Sequence, residues 1–206
     1  INLEVGEYSN NCYVLIDPST NTSAIIDAAY DPEAIIEALE GTNLALIVTT
    51  HRHQDHWGAL EAIKNQNPDA LVAVHSKDAA ALPLTPDIFL EHGDTLQVGS
   101  VPLRVISTPG HTEGSICLIS GSFLFTGDTL FVGRTGRTIS KVSNTRDLYN
   151  PQMNSNSTII SAEIHTTKEE LAEGTAKNVS ITNDQITFFN IDGDSFESFK
   201  LVKTNC

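Results

Sequence analysis

Three histidines and an aspartate fall within six consecutive positions, His51-Arg52-His53-Gln54-Asp55-His56, in a chain that has seven histidines in all. Imidazole nitrogens and carboxylate oxygens are ligands for zinc, iron or manganese. In an extended segment alternate side chains point the same way, so His51 and His53 can reach one ion. Asp55 and His56 follow closely enough to hold a second ion beside it. A polar surface loop with histidines by chance is the competing reading, and the crowding of these residues argues against it. Three more segments offer the same chemistry: His111 in Thr108-Pro109-Gly110-His111-Thr112-Glu113-Gly114-Ser115, Asp128 in Phe125-Thr126-Gly127-Asp128-Thr129, and His165 after Thr158–Ile164.

Such residues need elements that bring them together. Leu44-Ala45-Leu46-Ile47-Val48-Thr49 is a short continuous apolar run, β-branched near its end, and Gly58–Lys64 carries a helical pattern. That sequence of signals predicts a buried strand feeding a helix, with the 51–56 cluster on the loop between them. Leu103–Ser107 precedes His111, Ser122–Phe125 precedes Asp128, and Thr158–Ile164 precedes His165. Four times an apolar β-like run ends and a metal-type side chain appears within a few residues. Strand ends of this kind converge on one edge of a sheet, where sites are built.

The remaining chain supplies the frame. Residues 3 to 30 read as β structure turning at Asp17-Pro18-Ser19-Thr20-Asn21. Asp31 and Pro32 open a helix as cap and first residue, and Gly41 ends it. Ala70–Val74 is a second buried strand, with Ser76 expected to cap a short helix reaching Leu82. Phe89 to Ile106 reads as hairpin material with turns at 92–94 and Gly99-Ser100. Residues 150–158 are rich in Asn and Ser and read as a loop, and 186–202 as a terminal hairpin.

A chain of 206 residues suits one domain with a sizeable core. The net charge of −14 disfavours nucleic acid as a partner, and no run approaches the ~18 apolar residues of a membrane span. Three scattered cysteines, Cys12, Cys117 and Cys206, favour a reducing compartment, so a cytoplasmic location is expected.

The H-x-H-x-D-H cluster after an apolar strand, the 108–115 segment and the 125–131 segment together resemble the metallo-β-lactamase superfamily. Glyoxalase II and the persulfide dioxygenases are the nearest by motif, over roughly residues 3 to 140. The resemblance implies an α/β, four-layer αββα fold, two mixed β-sheets sandwiched between helices. It would occupy a single domain, 1–206, divergent from about 144. It implies that His51, His53 and His111 hold one ion, that Asp55, His56 and His165 hold another, and that Asp128 bridges them. Two Zn2+ ions are expected, with Fe2+ or Mn2+ as alternatives. The last histidine lacks the Gly-His or Ala-His context of the family.

The activity implied is hydrolysis of a small thioester or ester, with Asp55 and Asp128 in the catalytic apparatus. Arg134, Arg137, Lys141 and Arg146 are four of the twelve Lys and Arg residues, within thirteen positions. In so acidic a chain they suggest a small anionic substrate. The alternatives are a mononuclear iron persulfide dioxygenase using His51, His111 and Asp128, a lactonase, and a non-catalytic member of the fold.

Overall fold

The computed structural model describes residues 1–121, 123–131, 134–137, 160–163, 178–182, 185–189 and 195–201, the backbone alone for 134–135 and beyond 137. Six strands form the first sheet: β1 (Asn2–Val5), β2 (Asn10–Asp17), β3 (Thr22–Ile26), β4 (Asn43–Thr49), β5 (Leu71–His75) and β6 (Ile88–Leu90), in that spatial order. β1, β2 and β3 pair antiparallel; β3 to β6 run parallel. Helix α1 (Pro32–Ala38) connects β3 to β4, and α2 (Leu60–Gln66) connects β4 to β5.

The second sheet contains β7 (Thr95–Val98), β8 (Val101–Ser107), β9 (Ile116–Ser120), β10 (Phe123–Phe125), β13 (Ile160–Glu163), β14 (Asn178–Thr182), β15 (Gln185–Phe189) and β16 (Ser195–Leu201). Its spatial order is β13-β14-β15-β16-β10-β9-β8-β7. Only β10 and β16 are parallel there among the described strands. A small ribbon pairs β11 (Leu130–Phe131) with β12 (Arg134–Thr135).

The uninterrupted apolar run of β4 follows from burial on both faces. Ile47 packs toward the helices with Ile25, Val72, Val74, Ile35, Leu60 and Ile63. Leu46 and Val48 point the other way, into an inter-sheet core with Ala24, Ile26, Ala73, Leu103, Val105, Ile116 and Leu118. The two-residue period of a strand divides β3, β4 and β5 between these two cores. Both described helices lie on the outer face of the first sheet; no helix over the second sheet is among the described residues. Nor is any described helix long and apolar enough to cross a membrane.

Three local expectations are corrected by partners lying elsewhere. Asp31 precedes α1, but its carboxylate accepts from Gly6 N (2.9 Å) and not from the helix. Ser76 bonds to Glu91 and caps nothing, and the segment before Leu82 is a single 3₁₀ turn, Ala79–Ala81. Residues 89–106 are not one hairpin: β6 completes the first sheet beside β5, and the chain crosses at 91–94 to start β7 in the second. A hydrophobic pattern marks both strands as half-buried and is silent about which sheet each joins. The turn at Gly99-Ser100 and the pairing of β9 with β10 are as expected.

Candidate metal centre

β4 ends at Thr49, β8 at Ser107 and β10 at Phe125, and their following loops meet at one rim of the two sheets. Register brings them there. Asp27 N extends the β3–β4 pairing by donating to Val48 O (2.9 Å), and Ile116 N at the start of β9 donates to Thr50 O (3.0 Å). Gly127 lets the third loop approach: its φ is +47°, and a Cβ there would stand 2.4 Å from Thr50 Oγ1 and 2.8 Å from Thr50 Cβ.

Four imidazoles gather at this rim. His53 Nδ1 lies 3.1 Å from His51 Nε2 and 2.8 Å from His111 Nε2. His56 packs against His51, with ring centroids 4.1 Å apart. Asp128 stands between the two sides, with Oδ2 3.3 Å from His111 Nε2 and Oδ1 3.2 Å from His56 Nε2. His51, His53 and His111 therefore form one possible ligand group, and His51, His56 and Asp128 a second. Asp55 borders the second, its Oδ2 3.9 Å from His56 Nε2 and held by Asn10 Nδ2 at 3.1 Å.

The outward hydrogen bonds determine which ring nitrogens face inward. A carboxylate or carbonyl only accepts, so His56 Nδ1 donates to Asp27 Oδ2 (2.8 Å), and His111 Nδ1 donates to Arg137 O (2.6 Å). Thr50 Oγ1 gives its proton to Asp27 Oδ2 (2.8 Å), which leaves it to accept from His51 Nδ1 (3.2 Å). His51, His56 and His111 thus each anchor Nδ1 away from the cluster and turn Nε2 toward it. This is the arrangement that orients imidazoles toward a metal. Three ring nitrogens converging within hydrogen-bonding distance, with few protons to share among them, fit a cation better than mutual hydrogen bonding.

For His51 and His53, in the first ligand group, the electrostatics agree. Burial, followed by repulsion from His56, holds His51 down to about 2, and burial followed by His111 lowers His53. Both rings are therefore neutral near pH 7, the form that ligates. Burial opposes charge on His56, but Asp27 and Asp128 on its two nitrogens outweigh it and raise that ring to about 10. Burial also opposes ionisation of Asp128, and the hydrogen bond and charge of His56 overcome it, holding the carboxyl below its usual range.

Six of the seven expected ligands, His51, His53, Asp55, His56, His111 and Asp128, are thus brought to one rim; His165 lies outside the described residues. Of the expected substrate residues, Arg137 has an exposed side chain and meets the centre through its backbone carbonyl. Arg134 is placed only as a backbone partner of Phe131, and Lys141 and Arg146 lie outside the described residues. Trp57 belongs to the helix-side core and donates from Nε1 to Arg52 O (2.8 Å), so it packs the loop. Asp27, Thr50, Asn10 and Asp78 also serve the site, and their types and spacing in the sequence do not mark them. The one visible signal was an acid directly after the apolar run Ala24-Ile25-Ile26.

Comparison with known proteins places this geometry. The sequence profile of the metallo-beta-lactamase superfamily matches residues 5–163. A hydroxyacylglutathione hydrolase of Thermosynechococcus vestitus is 39% identical over 132 residues, covering 62% of this chain and 52% of that protein. A protein described as a probable polyketide biosynthesis zinc-dependent hydrolase, BaeB, of Bacillus velezensis is 30% identical, covering 69% of this chain and 64% of its own. The chain spans about half the length of the hydroxyacylglutathione hydrolases it matches. The crystal structure of ETHE1 from Myxococcus xanthus superposes with a TM-score of 0.61 at 27% identity, covering 87% of this chain and 78% of that one.

Proposed function

Given that the chain belongs to the metallo-β-lactamase superfamily, we propose that it is a dinuclear zinc hydrolase that cleaves a small, anionic thioester or ester. The observation that carries this reading is Asp128, which offers one carboxylate oxygen toward His111 and the other toward His56. A carboxylate so placed suits two cations side by side. His51, His53 and His111 would hold the first, and His56 with Asp55 and Asp128 the second, with His165 as a further proposed ligand. Divalent cations bound there supply Lewis acidity and bring the pKa of a water toward neutrality.

The chain's own residues do the rest. Asp27 and Thr50 hold the rings of His56 and His51, and Arg137 O holds that of His111. Asn10 turns the Asp55 carboxylate toward the rim, where it can orient an attacking water and carry its proton to the leaving group. The resemblance to hydroxyacylglutathione hydrolases supports a thioester, and the bases Arg134, Arg137, Lys141 and Arg146 support a substrate carrying carboxylates.

The test is metal analysis of the purified protein joined to a panel of a hydroxyacyl-glutathione thioester, simple esters and lactones. Two equivalents of zinc and preferential thioester cleavage are expected. Iron content with oxygen uptake on glutathione persulfide would instead assign the mononuclear dioxygenase reading, in which His51, His111 and Asp128 serve.

A further inference from the structure

Asp78 takes no part in the imidazole cluster, yet it is 1% exposed and touches both loops that supply the first ligand group. It sits just beyond β5, with Asp78 N donating to His75 O (3.0 Å), and β5 is the parallel neighbour of β4. That register sets its carboxylate under the 51–56 loop. Oδ2 accepts from Arg52 N (2.9 Å) and from the Thr112 hydroxyl, and Oδ1 accepts from Gly114 N (3.0 Å). The Arg52 guanidinium adds a longer contact, Nη1 to Oδ1 at 3.5 Å. Arg52 separates His51 from His53, and Thr112 follows His111. One carboxylate therefore binds the immediate neighbours of all three histidines.

The packing leaves this arrangement little freedom. A Cβ on Gly114 would stand 2.6 Å from Asp78 Cγ, so the 111–115 loop rests directly on the carboxyl group. A buried carboxylate is costly unless its oxygens are satisfied. Here the donors come from two loops about sixty residues apart in sequence, so they satisfy the charge together only when the loops keep this separation.

We infer that Asp78 is a positioning residue that sets the distance between the His51–His53 pair and His111, and thereby the affinity of the first ligand group for its cation. This rests on the preceding reading that the group holds a metal. Asn is nearly isosteric but cannot replace Asp here. One end of its amide would become a donor facing Arg52 N or Gly114 N, neither of which can accept. One loop would be released while the fold remained.

The experiment is chelator-competed zinc titration of the metal-free protein, with visible absorption of the Co2+ form and thermal unfolding of each metal-free variant. Asp78→Asn should weaken one zinc equivalent by roughly 10- to 100-fold, the range for residues that orient ligands, and should alter the Co2+ spectrum. Thr112→Val, which removes one donor, should move both readouts less and in the same direction; Thr112→Ser, which keeps the hydroxyl, should bind like wild type. A merely structural carboxylate would lower the unfolding temperature and leave zinc affinity and the Co2+ spectrum alone. That result in Asp78→Asn, or in Thr112→Val if Asp78→Asn does not fold, overturns the inference. A wild-type protein that takes up no cation overturns this inference and the metal reading together, whereas equal binding by wild type and variants overturns this one alone.

Discussion

Asp27 and His56 are 29 positions apart in sequence, and the ring Nδ1 of one lies 2.8 Å from the carboxylate Oδ2 of the other. The same carboxylate accepts from Thr50 N (2.7 Å) and from the Thr50 hydroxyl. It therefore orients His56 directly and His51 through Thr50. Asp27→Asn should weaken cation binding at the His56–Asp128 group by about 10- to 100-fold. Isothermal titration would resolve this as weakening of one equivalent, with the other, at His51, His53 and His111, changed less.

Asp128 faces both ligand groups, so its removal should affect both. Asp128→Ala is expected to lower kcat/KM on the best thioester by at least about 100-fold, an effect worth about 2.7 kcal/mol or more of transition-state stabilisation. Activity within tenfold of wild type in a metal-loaded variant would contradict the bridging role.

Chelation addresses the ions themselves. Dialysis against a strong chelator should abolish hydrolysis, and zinc should restore it. Ligand that binds only the folded state also stabilises it, by about 2.7 kcal/mol at a hundredfold excess over Kd. The unfolding temperature should therefore fall on chelation and recover with zinc, read by differential scanning calorimetry.

Gly127 shapes the Asp128 loop through its backbone. At φ +47°, with Thr50 Oγ1 2.4 Å from where a Cβ would lie, Gly127→Ala must strain the loop and push on Thr50. A loss of about 1 to 3 kcal/mol in stability is expected, measured by denaturant unfolding of the metal-free protein. Thr50 orients His51, so zinc affinity should fall as well.

Asp17 tests the far end of the sandwich, where the β2–β3 turn meets the β7–β8 turn. The backbone N–H of Ser100, then the Ser19 hydroxyl and backbone, with the Ser100 hydroxyl as well, hold its carboxyl well below the usual carboxylate range. A depressed folded-state pKa contributes stability that is fully present above the unfolded value, about 3.9, and is lost as pH falls through the folded one. Asp17→Asn should thus unfold at lower temperature than wild type at pH 7. The gap should narrow as pH drops below about 4, seen in thermal melts across that range.

The candidate centre was legible in the chain where its chemistry is local. His51, His53, Asp55 and His56 share one loop, and His111 and Asp128 each follow an apolar strand, so type and spacing sufficed to name them. The strands themselves were legible because β3, β4 and β5 bury both faces and therefore read as unbroken apolar runs. Asp31 and Ser76 look like helix caps in sequence, but Asp31 accepts from Gly6 N, 25 positions away, and Ser76 donates to Glu91, 15 positions away.

Tertiary structure alone decided what surrounds the ligands. Nothing local distinguishes Asp78 from other acids of an acidic chain, and Asp27 is marked only by its place after the apolar run Ala24-Ile25-Ile26. Parallel pairing of β3, β4 and β5 sets each at a strand end beside the 51–56 loop, and only there do their oxygens meet Thr50, His56, Arg52 and Gly114. Hydrophobic periodicity specifies which face of a strand is buried. It does not specify which strand lies alongside, and that neighbour determines which buried carboxylate holds which histidine.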